Sequence, residues 1–137
     1  MNEINEELVA RLYDFYQHSR EAEEQLKIIE QQISELQRFE FSLEDLEKSK
    51  TKEILASIGK GVFIKSDIKE EKLFVDVGSG ILIRKGMEEA KDIIREQNKR
   101  IGEMKIQLMM EKESVDREIA NLVWKIERVK KGEIKSL

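Results

Sequence analysis

The sequence predicts an α+β protein that is mostly α, with two long helices on either side of two β-hairpins. Two observations predict it: apolar residues repeat by sevens over about residues 2–47 and 87–131, and they alternate over about 53–85. A heptad indicates a coiled-coil helix, and alternation indicates half-buried strands. Because the connector is compact, we expect the helices to pair antiparallel in a single domain, residues 1–137, with both termini at the far tip.

The first helix carries a nearly unbroken apolar seam. One seam position is occupied by Leu8, Phe15, Ala22, Ile29, Leu36 and Leu43, and the other by Leu12, Leu26 and Ile33. Ser19 and Glu40 interrupt the second position. A seam sustained over this many heptads is typical of a coiled coil.

Two glycine-bounded turns divide the middle stretch into strands. Gly59-Lys60-Gly61 and Gly78-Ser79-Gly80 each separate two alternating runs, as in tight hairpins. We expect Gly61 and Gly80 to need a positive φ, and Ser79 to tolerate a larger side chain better than either.

Two hairpins in series form a four-stranded piece with open edges, which is too little sheet to stand alone in water. Both flanking helices have partners already, so we expect other chains to complete the sheet. The residues expected to be buried between strands or subunits are Val62, Ile64, Val75, Val77, Ile81 and Ile83.

The second helix begins near Gly86 or Met87, with Glu88 and Glu89 in its first turn, where negative charge is favoured. Its predicted seam is Met87, Ala90, Ile94, Gln97, Ile101, Met104 and Leu108, followed by Val115, Ile119, Leu122, Ile126 and Val129. Met104 and Val115 lie eleven residues apart, which predicts a four-residue stutter and loose packing near Glu111.

The composition excludes several classes of protein. Charged residues make up 39% and aromatic residues 6% of the chain, and the net charge is −4. No Lys/Arg stripe is present, which argues against nucleic acid and against an RNA-binding coiled-coil arm. No apolar run is long enough for a membrane span. The absence of cysteine excludes disulfides and thiolate sites, and fits a cytoplasmic protein.

Catalytic chemistry is not indicated. The only histidine is His18, which is expected on a solvated helix surface, and no second histidine or cysteine supports a metal site. The glycines at 59, 61, 78 and 80 do not match a phosphate-binding or dinucleotide motif. We therefore expect no enzyme, no metal and no cofactor.

The helix ends near the termini carry more apolar residues than one seam can bury. Beyond the seam lie Ile4, Val9, Tyr13, Tyr16, Val123 and Trp124, and the tail adds Ile134 and Leu137. Fraying or register drift would explain them without a function. The alternative is a surface that grips apolar segments of a partner.

The whole chain resembles a prefoldin subunit of the α class, in its archaeal form. The stretch from Ile54 to Lys65 is similar to the family's first strand, L-G-x-G pivot and second strand, and Val75 to Lys85 is similar to its second pivot. Two such pivots between coiled-coil halves are a specific joint signal. Ser57 stands where the family often has proline and Gly86 where a capping side chain is expected, so the main α subunit and a divergent paralogue both stay open.

The resemblance implies a cytosolic, ATP-independent holdase chaperone. Its hairpins would join an intersubunit β-barrel in a hexamer of two α and four β subunits, and its tips would hold unfolded clients for a group II chaperonin. The client-binding residues would then be Leu8, Leu12, Tyr13, Phe15, Tyr16, Leu122, Val123, Trp124, Ile126 and Val129. The oligomerisation residues would be Ile58, Gly61, Val62, Ile64, Val75, Val77, Gly80, Ile81 and Ile83. The alternative is a structural, filament-forming or scaffold protein of the same fold.

Overall fold

The computed structural model describes the backbone of residues 3–132 and the side chains of residues 5–132. The element order is α1 (Glu3–Lys48), β1 (Glu53–Gly59), β2 (Val62–Asp67), β3 (Lys72–Asp76), β4 (Leu82–Gly86) and α2 (Met87–Lys130). The predicted fold class, two long helices with two small antiparallel strand pairs between them, is confirmed. The side chain of Ile4 and residues Ile134 and Leu137 of the predicted terminal surface lie outside the described part. Within that part, no helix is apolar over enough of its length to cross a bilayer.

The chain divides into two compact units. The terminal unit comprises Met1–Ile33 and Arg100–Leu137, and the hairpin unit comprises Ser34–Lys99. Each unit contains part of α1 and part of α2, and each has its own apolar cluster.

The core of the terminal unit joins the beginning of α1 to the end of α2. Leu8, Leu122 and Ile126 are buried in it, with Leu12, Phe15 and Val129 packed against them. Because residues early in α1 meet residues late in α2, the two helices run antiparallel here. Leu8 and Leu122 are the largest fully buried side chains among the described residues.

The core of the hairpin unit ties the second hairpin to the helices. Leu43 of α1 packs with Ala90 and Ile94 of α2, and Leu36, Leu73 and Met87 surround them. Leu73 belongs to β3, so this strand is anchored by an apolar side chain as well as by its partner strand.

The hairpins form two separate two-stranded sheets. β1 pairs with β2, and β3 with β4, both antiparallel. The expected four-stranded piece is therefore not formed within residues 3–132. Each sheet keeps open edges, which agrees with the argument that two strands alone are marginal in water.

The predicted stutter in α2 is wrong, because its buried face repeats every seven residues without interruption. Gln97 is exposed and Met104 is 55% exposed, so neither is a seam residue. One seam position holds Met87, Ile94, Ile101, Leu108, Val115, Leu122 and Val129, and the other holds Lys91, Asn98, Lys105, Lys112, Ile119 and Ile126, all buried or half-buried. Lysine fits because its aliphatic stem packs in the seam while its ammonium group reaches a polar partner. We call Lys91, Asn98, Lys105 and Lys112 the polar seam.

Candidate functional site

The structure separates the ten predicted client-binding residues into two groups. Six belong to the terminal core or pack against it: Leu8, Leu12, Phe15, Leu122, Ile126 and Val129. The other four lie outside that core. Tyr13, Tyr16 and Trp124 are 63%, 47% and 51% exposed, and Val123 is half-buried. The core group can therefore support a binding surface, while Tyr13, Tyr16 and Trp124 contribute the most exposed side-chain area of the ten.

The exposed aromatic rings have polar neighbours. The Tyr13 hydroxyl accepts a hydrogen bond of 2.8 Å from Nε2 of Gln17, one turn along α1. The guanidinium of Arg128 lies 4.8 Å from the centroid of the Trp124 ring, within cation–π range. These contacts orient two large apolar side chains at the surface without burying them.

A polar network links the two helices in the terminal unit. The Ser19 hydroxyl donates to Oδ1 of Asp116 at 2.7 Å, and Nζ of Lys112 donates to Oδ2 at 2.8 Å. The bond from Lys112, and then that from Ser19, lowers the pKa of Asp116 below its ordinary value. The same bond to Asp116 raises the pKa of Lys112. Ser19, read from sequence as an interruption of the seam, thus supplies an interhelical contact.

The polar seam is also paired in the hairpin unit. Nζ of Lys91 lies 3.1 Å from Oε1 of Glu47 on α1 and 3.7 Å from Oε1 of Glu88. The hydrogen bond to Glu47 raises the pKa of Lys91 despite the opposing effect of desolvation. Asn98 differs from its lysine neighbours, because its buried Oδ1 has no hydrogen-bond partner within the described residues.

The hairpins expose most of the predicted oligomerisation residues. Ile58, Val62, Ile64, Val77, Ile81 and Ile83 are between 42% and 67% exposed, and Val75 is half-buried. These side chains are not covered by neighbouring strands of the described chain. This hairpin surface is a large exposed apolar area, of the kind that marks an interaction site.

In both hairpin turns the two central residues lie in the left-handed region. Gly61 and Gly80 have φ of 79° and 74°, as expected, but Lys60 and Ser79 precede them with φ of 50° and 54°. Two positive φ values are the mark of the type I′ turns that match strand twist. A β-branched residue would be strained at Ser79 as well as at Gly80, so the expectation that Ser79 tolerates a larger side chain better stays a prediction.

Sequence reasoning missed a third apolar surface. Ile106, Met109 and Met110 are well exposed on α2, and they line a groove of about 670 Å³ in the terminal unit. Ile106, Met109 and Met110 already lie outside the predicted seam, so the sequence shows them as surplus apolar residues. Their grouping with Leu26 of α1 depends on how the two helices pair. Within residues 3–132, no three His, Cys, Asp or Glu side chains are grouped so as to hold a metal ion.

A family model described as a prefoldin subunit matches residues 16–132. Among solved structures, a filamentous PFD from Methanocaldococcus jannaschii, determined by cryo-electron microscopy, is similar with a TM-score of 0.72 and 18% identity, over 83% of this chain and 96% of that one. No curated protein matches the sequence. Since the family model covers most of its length, this chain belongs to the prefoldin family.

Proposed function

We propose that the chain is a subunit of an ATP-independent chaperone that holds non-native proteins at the end of its terminal unit. The observation that carries this proposal is the exposure of Tyr13, Tyr16 and Trp124 beside half-buried Val123. Membership of the prefoldin family supports a chaperone subunit of this type. The described site offers apolar area and hydrogen-bonding edges, which suit binding without chemistry.

Weak binding of the client by each single subunit is an advantage for such a protein. Burial of apolar surface contributes about 25 cal/mol per Å², so a few partly exposed rings hold a client only loosely. Several such ends on one assembly raise the effective concentration and give useful avidity. Each end can still release quickly, as transfer of the client requires.

The hairpin surface would supply the assembly. We infer that Ile58, Gly61, Val62, Ile64, Val75, Val77, Gly80, Ile81 and Ile83 are covered by other subunits in an intersubunit β-barrel. The second hairpin is the feature that favours the α class, and with β-class partners a hexamer of two α and four β subunits follows. Delivery to a group II chaperonin in the cytoplasm completes the proposal.

Replacing Tyr13, Tyr16, Val123 and Trp124 with serine tests the client site. The quadruple variant should keep its helical circular dichroism and oligomer size but lose most of its ability to keep a denatured client from aggregating, measured by light scattering. A matched control replaces Arg11, Asp14, Glu118 and Lys125 with serine, which removes four terminal side chains with no change in net charge. If the quadruple variant protects the client as well as the control does, the site lies elsewhere.

A filament is the second candidate function. It is favoured by the similar structure, which is described as filamentous, and by the apolar area that the hairpins expose. Analytical ultracentrifugation of the chain, alone and with a β-class subunit, distinguishes the two. A discrete complex supports the chaperone, whereas polymers that lengthen with concentration support the filament.

A further inference from the structure

The heptad gives the terminal unit two different sides. Each helix has a heptad position that directly follows one of its two seam positions. In an antiparallel pair these positions of the two helices lie on the same side of the pair, because the two chains run in opposite directions. Val9 and Tyr16 follow the seam residues Leu8 and Phe15, and Met109 and Val123 follow Leu108 and Leu122. The first side therefore carries apolar side chains from both helices.

The groove on this side has an apolar floor and a neutral rim. Leu26 is half-buried, and Ile106, Met109 and Met110 are 51% to 64% exposed along it. The charged residues at the rim pair with each other. Lys112 binds Asp116 at 2.8 Å, and Arg117 binds Glu113 at 3.3 Å.

The other side of the same stretch is polar. A smaller groove of about 410 Å³ is lined by His18, Glu21, Gln25, Glu111 and Ser114, among others, over the seam residues Ala22 and Leu108. The two grooves flank one seam and share Lys112. In this stretch, therefore, only one side of the helix pair is apolar.

We propose that the methionine-lined groove binds a short, uncharged apolar segment of a non-native protein, so that client contact extends along one side of the helices to Met109. This inference rests on the proposed function and specifies which side performs it. It adds to the terminal aromatic residues a second contact, in an open groove of about 670 Å³, which is within the volume range of clefts that bind small ligands.

Three observations favour this occupant. Methionine is flexible and polarisable, so it adapts to apolar side chains of varied shape. The self-paired rim offers no net charge, so it complements an uncharged segment. A third helix would need an apolar stripe in every heptad, but Glu113, Asp116 and Arg117 interrupt the stripe between Met109 and Val123. The surface thus suits short stretches of flexible chain.

Site-specific photocross-linking tests the proposal. A benzoylphenylalanine residue is placed at Met109, at Ser114 in the polar groove, or at Trp124, each in the full chain in its assembled form. The probe is reduced, carboxymethylated α-lactalbumin, a soluble polypeptide that stays unfolded. We expect the yield at position 109 to exceed that at 114 by about tenfold, the factor corresponding to roughly one buried methionine-sized side chain.

The outcomes separate this inference from the function it rests on. Cross-linking at 124 but no more at 109 than at 114 overturns the groove and leaves the client site standing. Absence of cross-linking at all three positions overturns both. A Met109→Gln, Met110→Gln variant gives an independent reading: the affinity for the probe should fall while circular dichroism and oligomer size stay unchanged, and an unchanged affinity contradicts the proposal.

Discussion

At the scale of single residues, the polar seam places polar side chains of α2 where a helix pair usually has apolar ones. Apolar side chains at seam positions normally stabilise a coiled coil, yet four successive heptads of α2 have lysine or asparagine at one of these positions. The lysines keep polar partners, so their cost is offset. Asn98 is different, because its buried Oδ1 lacks a partner in the described structure.

Asn98→Leu should stabilise the chain. An unsatisfied buried polar group costs about 1 to 3 kcal/mol, and leucine at this position would add apolar burial as well. We expect the free energy of unfolding in urea to rise by about 1 kcal/mol or more. Gln97→Leu, on the exposed neighbouring position, is the control and should change little. A loss of stability in Asn98→Leu would show that the amide has a role that the described contacts do not include.

Asp116→Asn should reduce stability at neutral pH but not in acid. The pKa of Asp116 is lowered on folding from its ordinary value of 3.8, so its charge stabilises the fold above that pH and the benefit is lost as the pH falls through the folded value. The pair is partly exposed, so the effect at neutral pH should stay within about 1 kcal/mol. Urea unfolding of parent and variant at several pH values gives the difference. A gap that persists in strong acid would contradict this account, and Glu118→Gln serves as the surface control.

At the scale of elements, α1 and the hairpins could be predicted from sequence, whereas the seam of α2 could not. The seam of α1 is mostly apolar, so its period is visible in the residue types. In α2 one seam position is polar over four heptads, and a seam lysine looks like a surface lysine until the three-dimensional pairing is known. The predicted seam therefore contained Gln97 and Met104 in place of Asn98 and Lys105. The interval from Met104 to Val115 then gave the false impression of a stutter.

Gly80→Val should destabilise the second hairpin, whereas Ser79→Gly should leave its stability equal or raise it. Both residues have positive φ, where a Cβ atom costs about 1 to 2 kcal/mol. Gly80→Val should therefore speed amide hydrogen exchange in β3 and β4, and Ser79→Gly should leave it equal or slow it. The exchange rates of β1 and β2 provide an internal control, since they form a separate sheet. Faster exchange in Ser79→Gly than in Gly80→Val would contradict the turn geometry.

At the scale of the whole molecule, the apolar hairpins predict an assembled protein. Sequence reasoning identified this area from alternation and from the lack of a covering segment, and it identified the surplus of apolar residues near the termini. The predicted seams also divided the ten terminal residues as the structure does, because Tyr13, Tyr16, Val123 and Trp124 were expected beyond the seams and lie outside the terminal core. Sequence reasoning missed the methionine groove, because the grouping of those α2 residues with Leu26 of α1 depends on the pairing of two distant helix segments.

Ile64→Lys with Ile81→Lys should dissociate the assembly. Both side chains are more than half exposed in the single chain, so lysine can be accommodated before assembly but would place charge inside an apolar interface afterwards. Val75 is a poorer choice because it is half-buried within the chain itself. We expect smaller species by sedimentation with helical circular dichroism preserved. Gln97→Lys with Gln107→Lys adds the same charge on exposed helix positions and should assemble normally.

The polar seam also selects which helices can pair when several chains are close together. Lys91 and Lys105 of α2 meet Glu47 and Glu30 of α1, so each cation is matched by an anion on the other kind of helix. Two α2 helices from neighbouring subunits would instead bring ammonium groups together in a poorly hydrated seam, a repulsive arrangement. Pairing of two α2 helices is thereby penalised, and pairing of an α2 helix with an α1 helix is favoured.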